Sequence, residues 1–170
     1  MSQVSEDFIP ARVAILTVSA RRSDEDDTSG HYLRESASAA GHQVVGKQII
    51  GEDLYGIRAL VSQWIADPQV QVVLINGGTG FTPGDRVPEA LQPLFDREIA
   101  GFGELFRMLS FEEIGTSTLQ SRALAGMANG TLIFAMPGST KACRTAWEQI
   151  IAQQLDSRQR PCNFHPHLKK

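Results

Sequence analysis

Apolar runs and helical stripes alternate along the first half of the chain. "RVAILTVS" (12–19) and "VQVVLING" (70–77) are short and rich in Val, Ile and Leu, the pattern of strands covered on both faces. "HQVVGKQII" (42–50) is a third such run, weakened by Gly46. Between Thr28 and Gly41, Leu33, Ala37 and Ala40 form a slim helical stripe, with Gly41 a natural C-cap. Between Asp53 and Asp67 the stripe is fuller. Leu54, Ile57, Val61, Trp64 and Ile65 share one helix face, and Pro68 stops it. Strand, helix, strand, helix, strand predicts a parallel sheet with right-handed crossovers.

Beyond residue 85 the pattern changes. Residues 86–114 read as mostly helical, with Gly101 and Gly103 as a break. "ALAGMANGTLIFAM" predicts two strands joined by Asn129-Gly130, a strong two-residue hairpin signal. A last helix is expected from Ser139 to Leu155, with Cys143, Trp147, Ile150, Ile151 and Leu155 on one face. The tail "RQRPCNFHPHLKK" is broken by proline and expected to be irregular. The expected fold is a three-layer α/β/α sandwich whose mostly parallel sheet carries one antiparallel strand. An arm (1–11), a single domain (12–156) and a tail (157–170) divide the chain.

Composition narrows the function. At 170 residues the chain suits one domain. A net charge of −3 argues against nucleic-acid binding, which calls for a basic face. No run approaches the ~18 apolar residues of a membrane span. The N-terminus "MSQVSEDFIP" has two acids and no apolar core, and the twin arginines of "SARRSDEDD" are followed by acids, so neither reads as an export signal. The 2 cysteines, Cys143 and Cys162, form neither a disulfide framework nor a zinc-type pair. A soluble, cytoplasmic protein with no membrane or nucleic-acid partner is expected.

In an open parallel sheet, ligands collect beyond the carboxyl ends of the strands. Four mouths should meet there: "ARRSDEDDTSG" after Ser19, "GED" after Ile50, "GGTGFTPGD" after Asn76 and "PGSTK" after Met136. Gly77, Gly78, Thr79 and Gly80 either form a nest of N–H groups for an anion or simply give the connection positive φ. Neither a P-loop nor a dinucleotide fingerprint is present. Asp85 either caps the helix near Pro88 or holds Mg²⁺ beside a phosphate. "PGSTK" repeats the theme, with Ser139 and Lys141 at a helix start. Asp24, Glu25 and Asp26 read as a solvated loop, with Asp27 the one site candidate among those acids. His165 and His167 read as part of a tail. No nucleophile–base pair is evident, Ser19 and Ser139 having no histidine within clear reach.

Taken in order, "DTSG", "GGTGFTPGD", "PEA", "DREIAGFGE", "SR" and "PGS" resemble the MoaB/Mog family of molybdenum-cofactor biosynthesis proteins, from about Ile15 to Leu155. The resemblance implies an α/β sandwich that binds molybdopterin and assembles as a trimer or a dimer of trimers. Mog-type members adenylylate molybdopterin with MgATP, its terminal phosphate attacking the α-phosphate. Carried over, Gly77 to Gly80 match the glycine loop, Asp85 the metal-associated acid, and Pro137, Gly138 and Ser139 the second loop. The family's other acid falls on Glu52 or Asp53. Ser19, Asp27, Ser29 and Gly30 join the expected substrate site. Val87 in place of threonine, "PGST" in place of Pro-Gly-x-Pro and a glutamate after the second strand look MoaB-type. The expectation is a molybdopterin-binding protein that adenylylates its ligand or, alternatively, a catalytically weak carrier or regulator. A nucleotide-binding protein of other purpose is a third reading, one that the glycine loop permits and the motif string disfavours.

Overall fold

Why the apolar runs pair as they do follows from what covers them. A computed structural model of the chain describes residues 4–170. Strands β1 (Arg12–Val18), β2 (Gln43–Ile50), β3 (Val72–Asn76), β4 (Arg97–Glu98), β5 (Leu124–Ala128) and β6 (Thr131–Met136) form one sheet in the order β2-β1-β3-β6-β5-β4. The β1–β2, β1–β3 and β3–β6 pairs are parallel. β5 runs antiparallel to both β6 and β4. The expected mostly parallel sheet with one reversed strand is therefore what the chain builds.

Helices cover both faces. Val13, Ile15, Val72, Leu74, Leu132 and Phe134 point to one side, packing with Leu33 of α1 (Thr28–Ala39) and Phe102 and Phe106 of the fourth helix. Ala14, Leu16, Val73, Ile75 and Ile133 point to the other, against Ile57, Val61 and Trp64 of α2 (Leu54–Ala66) and Val87 and Leu91 of α3 (Val87–Leu91). Alternate residues of one strand thus feed two cores, which is why the runs read as continuously apolar. At β2 the register shifts: Val13 faces Val44 and Ala14 faces Gly46, so Val45 bulges outward and Gly46 bends the strand without ending it.

Two expectations need correction. Residues 86–114 are mostly helical as expected, but the interruption is the short strand β4 between α3 and α4 (Ala100–Ile114). Gly101 and Gly103 lie inside α4 and do not break it. A Cβ at Gly103 would sit 2.6 Å from the Ala123 carbonyl, so the glycine lets the helix press against the chain entering β5. The last helical stretch is also composite: α5 (Thr140–Ala146), a π turn (Trp147–Ile151) and α6 (Ala152–Leu155). Its expected apolar face is buried throughout.

Arm and tail are tied to the domain. Ser5 and Ile9 of the arm donate to Ser157, and Lys169 donates to Gly130, Ile65 and Asp67 carbonyls. The tail is irregular as expected, with one 3₁₀ turn at His165–His167, but it is packed. Residues 1–3 of the arm and of the N-terminal segment read for export signals lie outside the described residues.

Candidate functional site

The four mouths meet at the carboxyl end of the parallel strands. At the first, a polar network fills the interior. Asp27 is the N-cap of α1, accepting from Gly30 N at 3.0 Å and from Thr17 Oγ1 at 2.8 Å, with Lys47 Nζ at 2.9 Å. Asn76, the last residue of β3, donates to Thr17 Oγ1 at 2.9 Å and accepts from Ser29 Oγ at 2.9 Å. Asp27, Ser29 and Asn76 have no exposed surface. Burial by itself would raise the Asp27 carboxyl, but hydrogen bonds from Lys47, Thr17 and Gly30 outweigh it and hold the group below the usual carboxylate range. Gly30 is glycine for space, since a Cβ there would overlap the Asp27 carboxylate.

Four of the expected ligand contacts are bonded within the protein. Asp27, Ser29 and Gly30 are buried, and the side chains of the first two and the amide of the third take part in this network. The Ser19 hydroxyl oxygen accepts from Arg21 and Arg22 amides, each at 3.2 Å, and so shapes its own turn. Arg22 then reaches over the network, donating to Ser29 Oγ and, at 3.0 Å, to the Gly138 carbonyl. Asp24, read as solvated, is 75% exposed, yet Lys47 holds it at 2.7 Å.

At the second mouth the two acids separate. Asp53 caps α2, its Oδ2 accepting from Gly56 N at 2.6 Å. Glu52 turns the other way and lies over Gly84, where a Cβ would collide with its Oε2. Glu52 therefore belongs with the glycine loop, and Asp53 with its own helix.

The third mouth is the glycine loop. Gly77 and Gly78 adopt φ of +91° and +69°. The N–H of Gly77 is committed to the Met136 carbonyl at 3.0 Å, whereas the amides of Gly78, Thr79 and Gly80 have no such partner among the described residues. Val87 packs under the loop, 2.6 Å from where a Gly78 Cβ would lie. Thr79 is buried and its hydroxyl has no hydrogen-bond partner among the described residues. Asp85 does not cap α3, whose N-cap is Arg86. Its Oδ2 instead accepts from Thr82 N at 2.9 Å and Thr82 Oγ1 at 2.7 Å, leaving Oδ1 outside these bonds.

The fourth mouth carries Pro137, Gly138, Ser139 and Lys141. Ser139 caps α5, accepting from Ala142 N at 3.1 Å. Lys141 is 71% exposed and lies 3.6 Å from Glu113. Two recesses flank this arrangement. An open cleft of about 360 Å³ is lined by Phe81, Thr82, Asp85, Arg86, Glu89 and Arg122. A smaller recess of about 130 Å³ is lined by Phe106, Ser110, Ser121, Pro137, Ser139 and Lys141, among others. Ser121 Oγ is buried without a partner among the described residues.

Several residues of this site carried no assignment from sequence: Arg22, Lys47, Asn76, Ser110, Ser121 and Arg122. Only the "SR" pair lay within a recognised motif. Cys143, buried beside Pro137, has its thiol pushed up to about 12 by burial, so it is inert as a nucleophile. His167 packs against Phe164, and His165 Nε2 is buried without a partner among the described residues. Among the described residues no three His, Cys, Asp or Glu side chains cluster as a metal site, and no helix is long and apolar enough to cross a membrane.

Residues 14–157 match a family model described as a probable molybdopterin binding domain. The chain is 77% identical to molybdenum cofactor biosynthesis protein B of Escherichia coli (strain K12), over 100% of both chains. A crystal structure of a molybdenum cofactor biosynthesis protein B is 42% identical, with a TM-score of 0.84 over 86% of this chain and 92% of that one. The tungsten cofactor synthesizing protein MoaB from Pyrococcus furiosus is 33% identical, with a TM-score of 0.75 over 85% and 92%. With a family model spanning most of its length and so near a relative over all of it, this chain belongs to the MoaB-type branch of the MoaB/Mog molybdenum-cofactor biosynthesis family.

Proposed function

We propose that this chain binds molybdopterin in the recess bounded by Phe106 and Ser139 and holds MgATP at the glycine loop, so that AMP passes to the pterin's terminal phosphate. The adjacency of the two recesses carries this reading. Ser121 lines the smaller one and Arg122, the next residue, lines the cleft beside Asp85. Phe106, Ile114 and Pro137 give the smaller recess apolar walls for a flat heterocycle, while Ser110 and Ser121 offer hydroxyls to its polar edge. Lys141 and Ser139 at the rim suit an anionic tail.

The amides of Gly78, Thr79 and Gly80 are the phosphate contacts of the loop. Asp85 and Glu52, flanking Gly84, are the acids that would hold Mg²⁺; two carboxylates completed by phosphate oxygens and water suit this ion. Bound there, Mg²⁺ would neutralise charge on the triphosphate and the departing pyrophosphate. An oxygen of the pterin phosphate bonds to the α-phosphorus, the bond from that phosphorus to the bridging oxygen breaks, and pyrophosphate leaves with the electron pair. No side chain has to act as nucleophile, in keeping with an inert Cys143.

A second reading, a pterin carrier without turnover, draws on one observation: Asp85 is already engaged by its own turn through Thr82. Incubating the protein with molybdopterin, ATP and Mg²⁺ separates the two. Adenylylated pterin, abolished by Asp85→Ala, establishes the enzyme. Retained pterin without product establishes the carrier, and no retained pterin sinks both.

The assembly is read from α4. Its Met108, Phe111 and Ile114 are 61%, 52% and 50% exposed, and Leu119 just beyond it 77%, while Phe102 and Phe106 face the core. An apolar face of this kind calls for a partner. A homo-oligomer, trimeric as in the family resemblance, covers it. Light scattering should give a multiple of the 18.6 kDa chain mass, reduced to one chain by Phe111→Glu.

A further inference from the structure

Four contacts converge on Arg122 from the glycine loop and the helix that follows. Its own N–H donates to the Thr79 carbonyl at 2.7 Å. Its guanidinium Nε donates to the Gly80 carbonyl at 2.8 Å, and Nη2, on the same edge, donates to the Asp85 carbonyl at 2.6 Å. The opposite corner, Nη1, is held by the Glu89 carboxylate. The guanidinium also lies 5.8 Å from the centre of the Phe81 ring. No other side chain bridges the two ends of the 80–85 turn among the described residues.

We propose that Arg122 is the positioning residue of this site: its bidentate edge fixes the separation of Gly80 and Asp85, and with it the direction in which the Asp85 carboxylate is presented. What Asp85 does once presented rests on the reading of the preceding subsection; where Arg122 holds it does not. The chemistry favours a fork over a point charge. A planar guanidinium satisfies two carbonyls side by side while its far corner meets a carboxylate, whereas a lysine ammonium presents one small centre on a flexible stem. Glu89 fits this role as the anchor that orients the fork. Hydrogen bonding from Arg122 holds the Glu89 carboxyl below its ordinary range. Because both partners of the fork are main-chain carbonyls, a change of side chain at position 85 leaves both acceptors in place.

Amide hydrogen exchange in the full-length, ligand-free protein tests the clasp without reference to activity. The protected amides of the loop are Thr82, bonded to the Asp85 side chain, Asp85, bonded to Thr82 O, and Val87, bonded to Gly78 O. Arg122→Ala and Arg122→Lys should both speed their exchange by about tenfold or more, the loss of one or two net hydrogen bonds. The Gly77 amide, bonded to β6, should be unchanged. Added guanidinium ion should restore protection in Arg122→Ala and not in Arg122→Lys, whose side chain fills the slot. Equal protection in the lysine variant, unchanged loop exchange in the alanine variant, or faster exchange spread equally over β3 and β6 would each overturn the proposal.

A kinetic arm separates the proposal from the reading beneath it. If the wild-type protein adenylylates molybdopterin, both variants should lose about 10²-fold in kcat with KM for ATP changed only a few-fold, as expected for a misplaced group. A variant that keeps kcat overturns the proposal. Absence of product from the wild-type protein overturns the adenylylation reading instead, and the exchange result then decides Arg122 alone.

Discussion

Two polar mouths of one sheet, the first and the third, hold similar residues in opposite ways. After β1, the Asp27 carboxylate, the Thr17 and Ser29 hydroxyls and the Asn76 amide are fully or almost fully buried, and each finds its partners within the protein. After β3, the Thr79 hydroxyl is equally buried and has no partner among the described residues, nor do the amides beside it, and Asp85 keeps one oxygen free of its turn. Buried polar groups normally end up satisfied. Where they are satisfied by the chain they make a scaffold; where they are not, they wait for something else. On this reasoning a saturated polar group belongs to the scaffold, and an unsatisfied one is the better candidate for ligand contact.

Asp27→Ala should have the largest effect on stability. It takes one of two carboxylates from the Lys47 ammonium, which is 11% exposed and stays paired with Asp24, and leaves the Thr17 hydroxyl and the Gly30 amide without their acceptor. Each buried donor left without its acceptor costs about 1–3 kcal/mol, and urea unfolding would register their sum. The loss should also depend on pH with a definite sign. Asp27 has its folded pKa depressed below the ordinary 3.8, so its stabilisation is fully present above that value. It fades as pH falls from there through the lower folded value, and wild-type and Asp27→Asn unfolding curves should converge only in that acidic window. Convergence already at neutral pH would mean that the network is no scaffold.

Thr17→Val comes next, at about 1–3 kcal/mol, because it leaves Asp27 Oδ2 and Asn76 Nδ2 each one bond short in the interior. Asp85→Ala should move stability by less than about 1 kcal/mol, its side chain serving only the exposed 82–85 turn, while removing any product formation. A destabilisation as large as that of Asp27→Ala would erase the distinction between scaffold and site.

The same distinction explains what the sequence could and could not disclose. β1, β2 and β3, both crossover helices and the Asn129-Gly130 hairpin follow from local pattern, because burial on two faces writes itself into composition. β4 is two residues long and leaves no pattern. Gly103 read as a breaker because its reason, a carbonyl of a distant segment at 2.6 Å, is invisible locally. The glycine loop and Asp85 stood out as a contiguous motif. Arg122 did not, since its partner Gly80 lies 42 residues away. Ser29 and Asn76 are 47 residues apart, and nothing near either announces the bond. Position in the chain singled out Asp27, and the family resemblance added Ser29 and Gly30; their complete burial is visible only in the fold.

Thr79→Val should have the smallest effect on folding and the sharpest meaning. Valine keeps the shape of threonine and removes only the hydroxyl. At position 17 that hydroxyl links two buried groups, so its removal leaves them unsatisfied. At position 79 no partner among the described residues is lost, and a buried hydroxyl without a partner is itself unfavourable. The substitution should therefore leave stability unchanged or raise it by up to about 1 kcal/mol, measured beside Thr17→Val in the same denaturant series. If Thr79→Val also weakens pterin or nucleotide binding, as titration calorimetry with each ligand would show, the hydroxyl is kept for the ligand at the expense of the fold. A loss of stability matching that of Thr17→Val would instead reveal an unseen partner within the protein, and the third mouth would then be as much scaffold as the first.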